Sequence, residues 1–232
     1  MLLTKDEVVE LTGLQGYRIV NHTLRKSLLV DLISRHFSKG AALADIGCAA
    51  GDLTIELQAL GFQMTGVDYE PQRLAKASAV AEKRGLNVRF IMEDLRNVVH
   101  SEYFDGLIMG EVLEHFTEPK AILDEHLVFL KPGGKIVITV PNVASLRARL
   151  KLLVFGEFAD HNPEHKYYFT RRRFQEHFQG SRIEILEMFT FLVELTLSSN
   201  ESLARLERSV LSPLRRLSPW CGSHLVAVVR KA

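Results

Sequence analysis

The stretch Ala44-Asp45-Ile46-Gly47-Cys48-Ala49-Ala50-Gly51-Asp52-Leu53-Thr54 constrains this chain more than any other. An apolar run ends in Gly47, and Gly51 opens a helix-like segment. That order is a strand, a tight turn and a helix N-terminus, with main chain bared where a ligand can approach. Asp68 closes the next apolar run. A glycine turn at one strand end, with an acid at the next, reads as a nucleoside-type cofactor site at the tip of a parallel sheet.

The rest of the chain keeps the same rhythm. Candidate strands fall at 41–47, 62–69, 87–93, 104–110, 135–141, 182–191 and 224–230. Several are nearly continuous in apolar residues, as strands buried on both faces are. The intervening pattern predicts helices at 22–37, 51–60, 71–84 and 118–130. Pro71 in the first turn and Gly85 beyond the end punctuate the third of these. The alternation implies an α/β fold of right-handed βαβ units, with one parallel sheet and helices on both faces. Lys131-Pro132-Gly133-Gly134-Lys135 reads as the turn before the fifth strand.

After Asn142 the rhythm changes. Residues 143–178 are helical in pattern at both ends, while 156–170 are polar, aromatic and irregular. This basic segment reads as an insert over the carboxyl ends of the strands, where open α/β sheets bind ligands. Its Arg171-Arg172-Arg173 run suits either an anionic substrate or a solvated face. Residues 200–217 place Leu203, Leu206, Val210, Leu214 and Leu217 at helical spacing, with Pro213 ending or kinking the helix. Lying between two predicted strands, that stripe is expected to pack on the protein; the other reading is contact with a membrane surface.

A length of 232 residues fits one α/β domain, and a net charge of +1 makes no electrostatic case for nucleic acid. Cys48 and Cys221 lack metal-ligand spacing and imply no disulfide framework. The N-terminus gains acids early, unlike a signal peptide, and no apolar run approaches the roughly 18 residues of a spanning helix. These features predict a soluble, cytoplasmic protein.

The glycine spacing is G-x-x-x-G rather than the dinucleotide G-x-G-x-x-G, and Asp45 and Asp52 flank it. Carboxylates there repel a pyrophosphate but suit an ammonium or sulfonium group, favouring S-adenosylmethionine over a nicotinamide dinucleotide. Asp68 can accept both hydroxyls of a ribose, or cap the helix that Pro71 enters.

Four further blocks sharpen this reading: Val67-Asp68-Tyr69-Glu70, Glu93-Asp94-Leu95, Phe104-Asp105-Gly106-Leu107-Ile108-Met109-Gly110-Glu111-Val112-Leu113-Glu114-His115, and Leu130-Lys131-Pro132-Gly133-Gly134. In that order they resemble the class I S-adenosylmethionine-dependent methyltransferases. The Glu-Val-Leu-Glu-His string and the upstream Asn21-His22-Thr23-Leu24-Arg25 are similar to the subgroup of ubiquinone-biosynthesis O-methyltransferases and related bacterial small-molecule enzymes. The resemblance implies a Rossmann-like seven-stranded, mostly parallel sheet whose last strand is antiparallel. It implies a single domain over 1–232: an N-terminal helical segment to 40, a cofactor-binding core over 41–142, an insert over 143–180, and C-terminal strands with an amphipathic helix over 181–232.

Site roles follow from the same resemblance. Asp45 and Gly47 line the methionine end, with Gly51 opening the helix beside them. Asp68 holds the ribose, with Tyr69 next to it. Asp94 accepts from the adenine amino group and the Leu95 amide meets the ring. Gly110 touches the methionine amino group, Glu111 contacts cofactor or substrate, and Arg25 reaches the cofactor carboxylate. One position departs from the family pattern: Ala49 stands where a glycine is usual, implying a mildly strained turn.

Methyl transfer to a hydroxyl requires alignment and removal of a proton. His115, just beyond the fourth strand, is the first candidate base; its other reading is a helix-entry residue bonded to backbone. His165, near Tyr167 and Tyr168, is a second substrate-facing candidate. His161 and His165 stand four apart, but Pro163 between them disfavours a helical metal site, and no metal is expected. The function expected is O-methylation of a small-molecule or lipid-like acceptor. The alternatives are a catalytically silent partner protein of the same fold, or an N-methyltransferase.

Overall fold

A computed structural model describes residues 2–15, 17–94, 103–157, 162–191 and 222–232. Seven strands form one sheet: β1 (Ala42–Ile46), β2 (Gln63–Asp68), β3 (Arg89–Met92), β4 (Phe104–Gly110), β5 (Leu130–Pro141), β6 (Ile183–Phe191) and β7 (His224–Lys231). Their order is β3-β2-β1-β4-β5-β7-β6. β1 pairs in parallel with β2 and β4, and β2 in parallel with β3. β7 runs the other way. The Asn142 N–H reaches the Ser223 carbonyl at one end of the β5–β7 pair, and Lys231 Nζ reaches the Leu130 carbonyl at the other. Likewise the Ala232 N–H bonds the Arg182 carbonyl, while Gly222 lies against Thr190 and Phe191. The sheet is therefore mixed, as the resemblance implies.

The central strands read cleanly because they are buried on both faces. Leu43, Ala44, Ile46, Val67, Leu107, Ile108, Val137 and Ile138 are all buried. The helices are α1 (Lys5–Thr12), α2 (Tyr17–His36), α3 (Asp52–Ala59), α4 (Pro71–Lys83), α5 (Pro119–His126), α6 (Leu146–Phe155) and α7 (Arg171–Phe178). α1 carries a reciprocal cap in which Thr4 and Glu7 bond each other's backbone N–H. The helix expected at 118–130 stops at His126 and continues as a 3-10 turn, Leu127–Phe129. The turn expected at 131–135 is absorbed into β5, with Gly133 at a φ of 72° inside the strand. Gly133 takes a left-handed conformation that would strain other residues, so the chain bends without leaving the sheet.

The chain divides into two compact units. One comprises Met1–Gly110, His126–Val137 and Lys231; the other comprises Glu111–Glu125, Ile138–Arg230 and Ala232. In the second unit, α7 is anchored by an aromatic cluster. Phe174 and Phe178 lie 4.7 Å apart between ring centres, and Phe169 sits 5.8 Å from Phe174. No helix among the described residues is long and apolar enough to cross a membrane.

Candidate functional site

In the first unit, the turn after β1 is built by main chain and two acids. The N–H groups of Gly47 and Cys48 both donate to the Val67 carbonyl, at 2.8 and 2.9 Å. Gly47, Ala49 and Gly51 have φ values of 73°, 49° and 70°. Ala49 thus adopts the left-handed geometry in spite of its Cβ, at a cost of about 1–2 kcal/mol. Asp68, at the end of β2, accepts the Ala49 N–H at 2.8 Å through one oxygen and the Glu70 N–H at 3.0 Å through the other. The N-cap of α4 is Glu70, so Asp68 braces the turn rather than capping the helix. Gly51 has a packing reason to be glycine: a Cβ there would stand 2.8 Å from Ala77 Cβ and 2.9 Å from Phe90.

Asp45 is buried in β1 and accepts the Thr54 hydroxyl at 2.6 Å. Burial pushes its carboxyl up to about 7; the Thr54 hydrogen bond opposes this, and the nearby Asp52 and Asp68 charges add to it. Asp52 is engaged differently from expectation. His22 Nε2 lies 2.7 Å and Lys26 Nζ 3.3 Å from its Oδ2, and Lys26 reaches Glu56 at 2.7 Å. Burial raises the Asp52 carboxyl, but His22 and Lys26 outweigh it and hold it below the usual range. Its charge is thus neutralised by α2, and the acidity of the turn rests on Asp45 and Asp68.

The remaining expected cofactor residues lie at strand tips or on α2. Gly110 ends β4 and Asp94 follows β3, both half-buried. Tyr69 is 68 % exposed directly after Asp68. Arg25 is half-buried, and the fully buried cation of α2 is its neighbour Lys26, which the sequence reading did not single out. An i,i+4 pair, His22 and Lys26, facing Asp52 and Glu56 at the same spacing, was the available signal. Leu95, His161, Cys221 and the 200–217 stripe lie outside the described residues.

In the second unit a polar cluster follows β4. Glu111 has a φ of 59°, an uncommon conformation for a side-chain-bearing residue, and its N–H bonds the Thr139 carbonyl. Its carboxylate lies 3.3 Å from His224 Nε2. A 3-10 turn, Leu113–His115, then carries Glu114 inward to 1 % exposure. The rings of His115 and His165 meet edge to face at 5.0 Å. Burial holds His115 below the usual histidine range, and the His165 charge adds to that; Glu164 and Glu111 oppose. The Lys166 and Tyr167 N–H groups both donate to the Glu114 carbonyl, at 2.8 and 3.0 Å. This ties the segment around His165 to the turn after β4. The arginine run behaves as a solvated face in part: Arg172 pairs with Glu176 on its own helix, while Arg173 covers the Tyr167 ring at 4.7 Å.

Parallel strands tipped with acids around a left-handed glycine turn define an α/β domain of the nucleoside-cofactor-binding class. A family described as a methyltransferase domain matches residues 37–180, and the chain belongs to that family. Among curated relatives it is similar to a ubiquinone biosynthesis O-methyltransferase of Bradyrhizobium sp. (strain ORS 278), 32 % identical over 128 residues that cover 51 % of each chain. The match thus spans about half the length of that relative. The fold is shared with a magnesium protoporphyrin IX methyltransferase from Synechocystis PCC 6803 with bound SAH. That likeness has a TM-score of 0.68 at 14 % identity and covers 98 % of this chain and 94 % of that one. It is also shared with the cyclase SpnF, at a TM-score of 0.63 and 21 % identity over 88 % of this chain and 80 % of that one. Chemistry must therefore be argued from the site rather than the fold.

Proposed function

We propose that this chain is an S-adenosylmethionine-dependent methyltransferase acting on an oxygen of a small-molecule or lipid-like acceptor. The observation that carries this is the pair of buried carboxylates, Asp45 and Asp68, at the ends of adjacent parallel strands around the Gly47–Gly51 turn. They fit the cofactor: Asp68 retains acceptor lone pairs for ribose hydroxyls, and Asp45 offers a carboxylate to a cationic methionine end. Asp94 and Leu95 serve the adenine, Gly110 and Arg25 the amino-acid end, and Tyr69 stands beside the ribose acid Asp68. Bound there, the cofactor would supply a sulfonium-activated methyl carbon for transfer to an acceptor oxygen.

The protein's part is alignment and handling of the acceptor hydroxyl. His115, held below the usual histidine range by burial, and His165, whose ring it meets edge to face, are the imidazoles available to that hydroxyl. Leu152, Leu153, Val154 and Phe155, at the end of α6, are all more than half exposed and suit an acceptor with an apolar tail. The half-length match to an O-methyltransferase favours oxygen as the nucleophile.

The test is transfer of a labelled methyl group from S-adenosylmethionine to a panel of phenols, catechols and amines. Label on a hydroxyl-bearing acceptor is expected. Cofactor binding with no transfer to any acceptor would favour the silent-partner alternative, and transfer to amines alone would move the nucleophile to nitrogen.

A further inference from the structure

We propose that His177 is a positioning residue: as a neutral imidazole it holds Tyr167, and through Tyr167 the segment that carries His165, in the arrangement that receives the methyl acceptor, and on protonation it lets go. The contact stands on geometry; that it serves an acceptor rests on the methyltransferase reading.

His177 stands near the end of α7 and joins two other parts of the second unit. The Lys120 main-chain N–H donates to its Nε2 at 3.2 Å, and the Tyr167 hydroxyl lies 3.1 Å from its Nδ1. A main-chain N–H can only donate, so Nε2 carries no proton and the neutral ring carries its proton on Nδ1. The Nδ1–H then donates to the Tyr167 oxygen, which leaves the Tyr167 hydroxyl hydrogen for another acceptor. Lys120 is the second residue of α5, and its N–H is one of the first-turn donors that no helix satisfies internally. His177 thus completes the start of α5 from a separate helix.

Tyr167 is held by three further contacts. Its ring centre lies 4.8 Å from that of His177 and 4.7 Å from that of Phe169, and the Arg173 guanidinium covers its face at 4.7 Å. Its N–H and that of Lys166 bond the Glu114 carbonyl, in the turn that carries His115. Tyr167 is therefore a pivot. Its side chain is tied to α7 and α5, its main chain is tied to the turn after β4, and His165, two residues earlier, meets His115 at 5.0 Å.

Protonation opposes this arrangement. A proton on Nε2 faces the Lys120 N–H, donor against donor. Burial holds His177 below the usual histidine range; the Glu118 carboxylate just before α5 opposes, while Arg173 on its own helix and Lys120 add to it. Asp124 pairs with the Lys120 ammonium along α5. The positive end of α5 disfavours an imidazolium in the same sense. The contact is intact at neutral pH and is lost as the pH falls through the His177 midpoint.

The first measurement is the ring-nitrogen spectrum of His177 in the 15N-labelled protein, followed from about pH 8 to about pH 5 and assigned with His177→Gln. The Nδ1–H tautomer is expected near neutral pH, whereas a solvent-exposed imidazole favours Nε2–H, and the Lys120 amide resonance is expected to move at the His177 midpoint. An Nε2–H tautomer, or a Lys120 amide that ignores the His177 titration, overturns the proposal. The second measurement is methyl-transfer kinetics with the hydroxyl acceptor most strongly labelled in the panel. Wild-type KM for that acceptor is expected to rise as the pH falls through the His177 midpoint. His177→Phe keeps the ring packing and is expected to raise KM about three- to tenfold near pH 8, the effect of one lost hydrogen bond, with kcat within about twofold. His177→Gln, whose amide carbonyl can take the Lys120 N–H, is expected to hold KM within about twofold of wild type near pH 8 and to abolish its rise in acid. A wild-type KM in His177→Phe, or an acid rise that survives in His177→Gln, overturns the positioning role, as does cofactor binding without transfer to any acceptor. A protein that shows the expected His177 tautomer but binds no S-adenosylhomocysteine strikes the methyltransferase reading and leaves the His177 contact standing.

Discussion

The Asp68 carboxylate accepts the main-chain N–H of Ala49 at 2.8 Å, so the acid at the tip of β2 holds the left-handed turn that follows β1. Removing that carboxylate acts on stability and on ligand binding together. Asp68→Ala leaves the Ala49 and Glu70 N–H groups without their carboxylate partner and is expected to destabilise the fold by about 1–3 kcal/mol. The same change is expected to raise the S-adenosylhomocysteine dissociation constant at least tenfold. Urea unfolding and calorimetry measure the two effects; an unchanged dissociation constant refutes the ribose role.

Gly51 has no room for a side chain. Gly51→Ala puts a methyl group 2.8 Å from Ala77 Cβ at a φ of 70°. Left-handed strain and overpacking together are expected to cost about 2–5 kcal/mol. A melting temperature equal to wild type would show that the α3–α4 packing relaxes freely.

Lys26 is the buried cation between Asp52 and Glu56. Lys26→Ala removes the ammonium that pairs with buried Glu56 and leaves Asp52 with His22, and is expected to destabilise by about 3–5 kcal/mol. Arg25→Ala is expected to cost less than Lys26→Ala, because the charge bridging α2 to α3 is one residue further on. Denaturant midpoints of the two variants decide this, and comparable losses would contradict it.

Asp45 sets a pH dependence whose sign is fixed. Its folded-state value of about 7 lies above the ordinary 3.8, so the folded protein keeps a proton that the unfolded chain has released. Stability from this group is full below about pH 4 and is lost as pH rises through about 7, by at most about 4 kcal/mol. Asp45→Asn cannot ionise. Its stability relative to wild type is therefore expected to improve between about pH 4 and about pH 7. Parallel stability curves for the two proteins contradict the assignment.

The strands were legible because residues such as Leu43, Ala44 and Ile46, buried on both faces, leave an apolar run with no polar alternation. Gly47, Gly51 and Asp68 were legible because backbone conformation and strand-end acids are local signals. What escaped the sequence was long-range pairing. Asp52 looked available to a ligand, yet His22 and Lys26 occupy it from a separate helix. His165 was read beside its sequence neighbours Tyr167 and Tyr168, while the ring it meets, His115, comes from the turn after β4. Gly133 looked like a terminator, but its left-handed conformation is accommodated inside β5.

The most direct test of the account is calorimetric titration of the wild-type protein with S-adenosylmethionine and S-adenosylhomocysteine. One-to-one binding of both, abolished or strongly weakened by Asp68→Ala, is the predicted result. No heat from either compound at millimolar concentration, in a protein whose circular dichroism shows it folded, would contradict it.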